Sequence, residues 1–195
     1  MRFSVIVPAH NASQFIEKGL QSIKDQVFKD YELIVICDKC EDATESIARR
    51  FTDNVIITQY GKPGLARNEG MNVAQGEYIL FMDSDDWFLH EYVFTQLDQK
   101  LKEESPDILA FSFIFKNWMY ATPRGLKGGY WPAVWNKCWK TSFAKQIEFP
   151  GDMVGEDAVF QSRAMAMRPN IVDWDMPMYY YNYGREGSIS QTRRR

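Results

Sequence analysis

Apolar runs alternate with amphipathic stretches through the first half of the chain. Phe3-Ser4-Val5-Ile6-Val7 reads as a buried strand stopped by Pro8, which brings no N–H to a ladder. Ser13 stands where it would cap a helix over Gln14 to Lys24, with Phe15, Ile16, Leu20 and Ile23 on one face. Tyr31 to Cys37 holds an unbroken Leu33-Ile34-Val35-Ile36 run and predicts a second buried strand. The pattern continues with a helix over Asp42 to Phe51, a strand over Asn54 to Thr58, a helix over Gly64 to Ala74 and a strand over Tyr78 to Met82. Such alternation predicts an α/β fold, a single domain whose mostly parallel central sheet is flanked by helices. Ligands of these sheets lie beyond the carboxyl ends of the strands. Three of those ends are polar here: Pro8-Ala9-His10-Asn11, Asp38, and Asp83-Ser84-Asp85-Asp86.

The second half is less regular. Glu91 to Glu104 has a helical pattern and Asp107 to Phe115 reads as a strand. Residues 116–132 are rich in Gly and aromatics and predict a ribbon or loop. Ala133 to Ala144 and Glu156 to Met167 predict helices, and Asn170 to Tyr183 an extended segment. Few apolar residues follow Gly184, and residues 191–195 read as a mobile tail. The chain thus divides into an ordered half, 1–104, and a less regular half, 105–190, of one domain spanning 1–195.

Composition narrows the function classes. At 45% apolar and 25% charged residues, the bulk of the chain is globular rather than disordered. A net charge of −3 argues against a nucleic-acid partner. No apolar run nears the roughly 20 residues of a membrane span, and the opening does not read as a secretory leader, so a cytoplasmic protein is expected. Arg193-Arg194-Arg195 leaves a peripheral contact with acidic membrane lipid open. Cys37-Asp38-Lys39-Cys40 spells a C-x-x-C, but no second pair or nearby His completes a zinc site. Two thiols at the end of a buried strand, in a reducing compartment, is the simpler reading. Trp118, Trp131, Trp135 and Trp139 fall in the less regular half, where they either stack on sugars or fill a small core.

The acidic cluster carries the strongest chemical signal. Packed carboxylates repel and raise one another's pKa. A divalent cation relieves that repulsion, and oxygen ligands suit Mg²⁺ or Mn²⁺ with positions left for phosphates. The structural alternative is that Asp85 or Asp86 opens the next helix. For Glu156-Asp157 the alternative is a pair of carboxylates stabilised at a helix N-terminus.

Five ordered segments resemble the family 2 nucleotide-sugar glycosyltransferases, which have the A-type glycosyltransferase (GT-A) fold. They are Ser4 to Asn11, Ala66-Arg67-Asn68-Glu69-Gly70, Ala74 to Asp86, Trp135-Asn136-Lys137, and Gly155 to Phe160. The resemblance implies a metal-dependent transferase using a nucleotide-diphosphate sugar, with a UDP-sugar favoured, and a glycan or lipid-linked acceptor hydroxyl. Residues 1–104 would then be the nucleotide half and 105–190 the acceptor half. Pro8, Ala9, His10, Asn11 and Asp38 would face the base. Arg67 and Asn68 would lie near the nucleotide, with Ser84 beside it. Asp83 would touch ribose or metal, Asp85 would bind Mn²⁺ or Mg²⁺ on the diphosphate, and Asp157 would be the general base of an inverting reaction.

The chain departs from the family's pattern in three places. One Asp stands after the second strand where two are common. Gly61-Lys62-Pro63-Gly64 alters a Gly-rich lead, and Lys62 either reaches a phosphate or is solvated. No His follows Tyr183, which leaves fewer metal ligands or brings Arg185 or Ser188 to phosphate. His10 is placed to line the donor pocket, and His90 to sit on a helix surface. A retaining transferase, a nucleotidyltransferase and an inert sugar-nucleotide-binding module are the competing functions. The second would need a Gly-rich basic loop after the first strand, which Pro8-Ala9-His10-Asn11 does not provide.

Overall fold

The computed structural model describes residues 1–124, 129–151 and 153–184. The mobile tail and the phosphate roles of Arg185 and Ser188 lie outside the described residues. In chain order the elements are β1 (Phe3–Ala9), α1 (Ile16–Lys24), β2 (Tyr31–Asp38), α2 (Thr44–Ala48), β3 (Val55–Thr58), α3 (Pro63–Val73), β4 (Tyr78–Phe81) and β5 (Trp87–Phe88). These are followed by α4 (Val93–Glu104), β6 (Ile108–Phe115), β7 (Met119–Ala121), β8 (Lys137–Lys140), α5 (Thr141–Ala144), α6 (Glu156–Ala166) and β9 (Ile171–Tyr181).

Among the described residues nine strands join one sheet, in the order β3-β2-β1-β4-β8-β6-β9-β5, with β7 beside β6. The ladders β1·β2, β1·β4, β2·β3 and β6·β9 are parallel. The antiparallel ladders, β4·β8, β6·β8, β6·β7 and β5·β9, are short. Successive residues of a strand face opposite sides of a sheet, and the core divides accordingly. Val5, Val7, Leu33, Val35 and Leu80 pack with α1 and α4 on one face. Ile6, Ile34, Ile36, Ile79 and Phe81 pack with α3, α5 and α6 on the other. The expected α/β fold with helices on both faces is therefore observed.

Several boundaries differ from expectation. Pro8 does not end β1, because it pairs in register with Ile36. Ile6 accepts a hydrogen bond from Met82 N, so its peptide groups face β4. Alternate residues present their peptide groups to the same edge, which turns Pro8 toward β4 as well, beyond the last β1·β4 pair, Ile6 with Phe81. Ser13 does not cap α1: its N–H donates to Asp42 Oδ2, and the helix starts at Ile16 on the Ala12 carbonyl. The helix expected over Asp42 to Phe51 shrinks to Thr44–Ala48.

The largest correction concerns Ala133 to Ala144. Lys137–Lys140 is a strand wedged between β4 and β6, with Lys137, Cys138 and Trp139 all buried. Only Thr141–Ala144 is helical. The acidic cluster does not open a helix, since a short strand, β5, follows it. Trp135 and Trp139 belong to the core, Trp131 is partly buried, and Trp118 stands 71% exposed. No helix among the described residues is long and apolar enough to cross a membrane.

Candidate functional site

The strand order reverses at β1, whose neighbours β2 and β4 lie on opposite sides. At such a switch point the loops after adjacent strands part and leave a crevice. Pro8 to Asn11, Asp38 and Asp83 to Asp86 all sit at this end of the sheet.

The loops after β1 and β2 are laced together. His10 Nδ1 lies 2.7 Å from the Asp38 carbonyl, and Asn11 Oδ1 accepts from Glu41 N at 2.8 Å. Asn11 and Lys39 both adopt positive φ, which a short polar side chain tolerates better than a long one. The half-buried Cys40 donates its S–H to the Ala9 carbonyl at 3.4 Å. Hydrogen bonding with Cys37 brings the Cys40 pKa down to about 7. All three cysteines are free thiols.

Asp38 is only 3% exposed. Its Oδ1 accepts from Thr58 Oγ1 at 3.0 Å and its Oδ2 from Lys62 N at 2.9 Å. The carboxylate thus fixes the lead into α3, while the Lys62 side chain stays exposed. Asn68 also has a local partner. Its amide donates to the Phe149 carbonyl at 3.0 Å and accepts from Phe149 N at 2.9 Å.

Arg67, 4% exposed on α3, forms the centre of the site. Its Nη2 meets Asp83 Oδ1 at 2.8 Å, and its Nη1 meets Glu156 Oε1 at 2.9 Å and Asp157 Oδ1 at 3.1 Å. Burial alone would lower its pKa, but Asp157, Asp83 and Glu156 more than offset that and leave it raised. One guanidinium therefore joins the loop after β4 to the first turn of α6. Spacing along the chain offered no signal for this junction, because Arg67 and Glu156 are 89 positions apart.

Burial raises the Asp83 pKa against the pull of Arg67, and Asp85 raises it further. Asp157 follows the same logic. Desolvation raises it, Arg67 opposes, and Asp83 and Glu156 add to the rise, so that it reaches about 6. Its Oδ1 has the Arg67 ion pair but no hydrogen bond. Gly155 precedes α6 at φ 93, a conformation glycine adopts without strain, and this turn sets Glu156 and Asp157 toward Arg67.

Asp86 has a different role from its neighbours. It is fully buried, accepts from Tyr179 Oη at 2.8 Å and from Asn182 N at 2.8 Å, and so ties the end of β9 to the acidic loop. Tyr179 Oη in turn accepts from Asp83 N at 3.1 Å. Helix α1 supports the loop from behind: a Cβ on Gly19 would lie 2.6 Å from the Asp86 carbonyl. Sequence reasoning missed the anchoring by Tyr179 and the contact at Gly19. Ser84 and Asp85 stay half-buried between these anchors.

The donor set suits a hard divalent cation, since Asp83 and Asp85 offer carboxylate oxygens whose repulsion a cation would relieve. Among the described residues no three His, Cys, Asp or Glu side chains gather closely enough to hold a metal. A cation here would take its remaining oxygen ligands from water or a bound diphosphate.

A parallel α/β domain with polar strand ends at its switch point and a carboxylate cluster beyond β4 defines a nucleotide-site architecture. The chain belongs to glycosyl transferase family 2, whose model matches residues 4–165. It is 28% identical to glycosyltransferase GlyA of Streptococcus pneumoniae, an alignment covering 97% of this chain and 32% of that protein. It is also 28% identical to poly(ribitol-phosphate) beta-N-acetylglucosaminyltransferase TarS of Staphylococcus aureus, over 96% of this chain and 36% of that one. The crystal structure of S. aureus TarS 1-349 in complex with UDP-GlcNAc superposes with a TM-score of 0.83 at 26% identity. That match covers 98% of this chain and 61% of the other. The chain thus spans about a third of the length of these two curated relatives.

Proposed function

We propose that this chain transfers a sugar from a nucleotide-diphosphate donor, a UDP-sugar, to a hydroxyl of a glycan or lipid-linked acceptor, with inversion at the anomeric carbon. The observation that carries this reading is the Arg67 junction, which brings Asp83 of the donor side within one guanidinium of Asp157. The match to a TarS complex with UDP-GlcNAc supports the choice of uridine donor. Residues 1–104 would serve the nucleotide and residues 105–190 the acceptor.

The main-chain groups of Pro8 to Asn11 and the loop held by Asp38 would frame the base. Asp83, Glu156 and Asp157 outnumber Arg67, so a diphosphate at the crevice would depend on a cation, and the exposed Lys62 side chain would swing toward it. Mn²⁺ or Mg²⁺ held by Asp83 and Asp85 would neutralise charge on the leaving diphosphate. Asp157 takes the acceptor proton as the acceptor oxygen bonds the anomeric carbon. The bond from that carbon to the diphosphate oxygen breaks, and the nucleotide diphosphate leaves with the electron pair. A base with a pKa of about 6 is ionised at neutral pH and still basic enough to share a proton in the transition state.

The test is an assay with UDP-glucose and UDP-N-acetylglucosamine, read by NMR at the anomeric proton. Inversion, lost with Asp157→Asn while UDP still binds, is expected. Retention of configuration, or full turnover by Asp157→Asn, would remove Asp157 from the reaction.

A further inference from the structure

The acidic loop is a single tight turn. Asp86 N donates to the Asp83 carbonyl at 3.1 Å, which leaves Ser84 and Asp85 between the two ends. Both ends rest on one hydroxyl. Tyr179 Oη accepts from Asp83 N at 3.1 Å and donates to Asp86 Oδ2 at 2.8 Å. A buried phenol usually finds a partner for its O–H. This one has two, 96 and 93 positions away, and they belong to the same turn. Asn182 N holds the other Asp86 oxygen at 2.8 Å, so the end of β9 grips the turn from the acceptor half.

The ring that carries this hydroxyl is locked. Tyr179 is fully buried. Trp135 stacks on it at 4.8 Å and 10°, and Phe88 meets it edge-on at 5.7 Å and 84°. Its place in the ladder follows a stretch of irregular pairing, where β6 advances from Phe111 to Phe113 while β9 advances from Trp174 to Tyr179. Extra residues of this kind bend a strand and re-aim its side chains. Beyond them Tyr179 lies opposite Phe113 on one side and Phe88 on the other, and Phe88 stands just past the acidic turn. The ring contacts need no hydroxyl, whereas the turn does.

We propose that Tyr179 is a positioning residue for the cation of the transfer reaction: its hydroxyl fixes both ends of the turn and so holds Asp83 and Asp85 in the arrangement a divalent ion requires. This rests on the reading of Asp83 and Asp85 as the ion's ligands. Mg²⁺ tolerates little departure from octahedral geometry, so ligands on a loose turn would have to be ordered at the moment of binding. A turn stapled from β9 meets the ion already shaped. Groups that orient metal ligands from behind typically govern affinity by about 10–100-fold.

Two measurements test it. The first is a calorimetric titration with UDP, in EDTA and in saturating Mn²⁺, of the parent, Tyr179→Phe and Asp85→Ala. Tyr179→Phe keeps the ring and its stack on Trp135. It is expected to bind UDP like the parent in EDTA, which also shows that it folds, and about tenfold or more weakly than the parent in Mn²⁺. Equal weakening in both media would make the hydroxyl merely structural and overturn the proposal. So would parent-like affinity in both media while Asp85→Ala loses the Mn²⁺ effect, an outcome that leaves the cation site standing. Asp85→Ala with the full Mn²⁺ effect would refute the cation site itself, and the proposal with it. The second measurement needs no variant: hydrogen exchange of the Asp83 amide in the metal-free parent. Protection before any ion arrives is expected, because Tyr179 Oη already holds that N–H. Exchange at the rate of an open loop, slowed only by Mn²⁺ with UDP, would show that the ion shapes the turn and would overturn the proposal.

Discussion

The strand ends after β2 and β4 both present aspartate, yet they use it differently. Asp38 gives both oxygens to neutral donors, Thr58 and the Lys62 amide, so its charge is locally satisfied and holds a loop. Asp83 shares one buried cation with Glu156 and Asp157. Beyond β4 negative charge exceeds the positive charge that meets it, and burial first, then that surplus, raises the pKa of both Asp83 and Asp157. A satisfied carboxylate shapes a site, whereas a surplus of carboxylates makes one receptive to a cation or a proton.

Removing the shared cation should break the contrast most severely. Arg67→Met leaves three carboxylates facing one another, and loss of one partner from a buried ion pair costs about 3–5 kcal/mol. The denaturation midpoint at pH 7.5 should fall accordingly. Without Arg67 the carboxylates have folded-state pKa values above their unfolded ones. Protonation then favours the folded state, so the deficit should shrink as pH falls toward 5. A deficit that grows on acidification would show that repulsion is not its cause.

Asp157→Asn comes next, with an expected loss of about 10²–10⁴ in transfer and little change in UDP affinity by calorimetry. In the parent, turnover should fall on the acid side of about pH 6, where Asp157 takes up its proton. An acid limb well below that would place the controlling group elsewhere.

Asp38→Ala tests the satisfied carboxylate. It unpairs the Lys62 amide and the Thr58 hydroxyl, at a cost of roughly 1–3 kcal/mol in stability. The metal dependence of donor binding should be untouched, and a changed Mn²⁺ requirement would merge two sites separated here.

The smallest effect sharpens the comparison on the other side. Mn²⁺ alone, at a concentration equal to its Kd, should stabilise by roughly 0.4 kcal/mol, and saturating UDP should enlarge the response because it completes the coordination. Equal melting shifts with and without UDP would mean that the protein holds the metal unaided.

The first half of the fold was legible because β1, β2 and β4 lie largely buried inside the sheet and read as near-continuous apolar runs. Strand β8 was not. Lys137 is a charge in the core, and the stretch around it, Ala133 to Ala144, reads as a helix. The carbonyls of Trp131 and Ala133, with Asn136 Oδ1, take its three protons and explain its burial, and they are set by the turn rather than by composition. Asp83, Arg67 and Asp157 were named from motifs, but their junction is a product of the fold. Asn68 was named from the same motif, and the bonds of its amide to Phe149 are likewise a product of the fold.

Pro8 shows how an omission can keep a cleft open. The next rung between β1 and β4 would run from residue 8 to the Met82 carbonyl, and proline has no proton to give. The two strands cannot zip further, and the main chain of the acidic loop stays apart from β1. Pro8→Ala would supply that rung, worth about 0.5–1.5 kcal/mol. It would also release the ring's constraint on the unfolded chain, a loss of about 0.4–1 kcal/mol. The two nearly cancel, so melting temperature should hardly register the change while UDP affinity drops as the strands draw together. Unaltered affinity would show that the ladder's end is set by something other than the proline. At this position selection would act on the width of a gap, and a stability screen would pass over it.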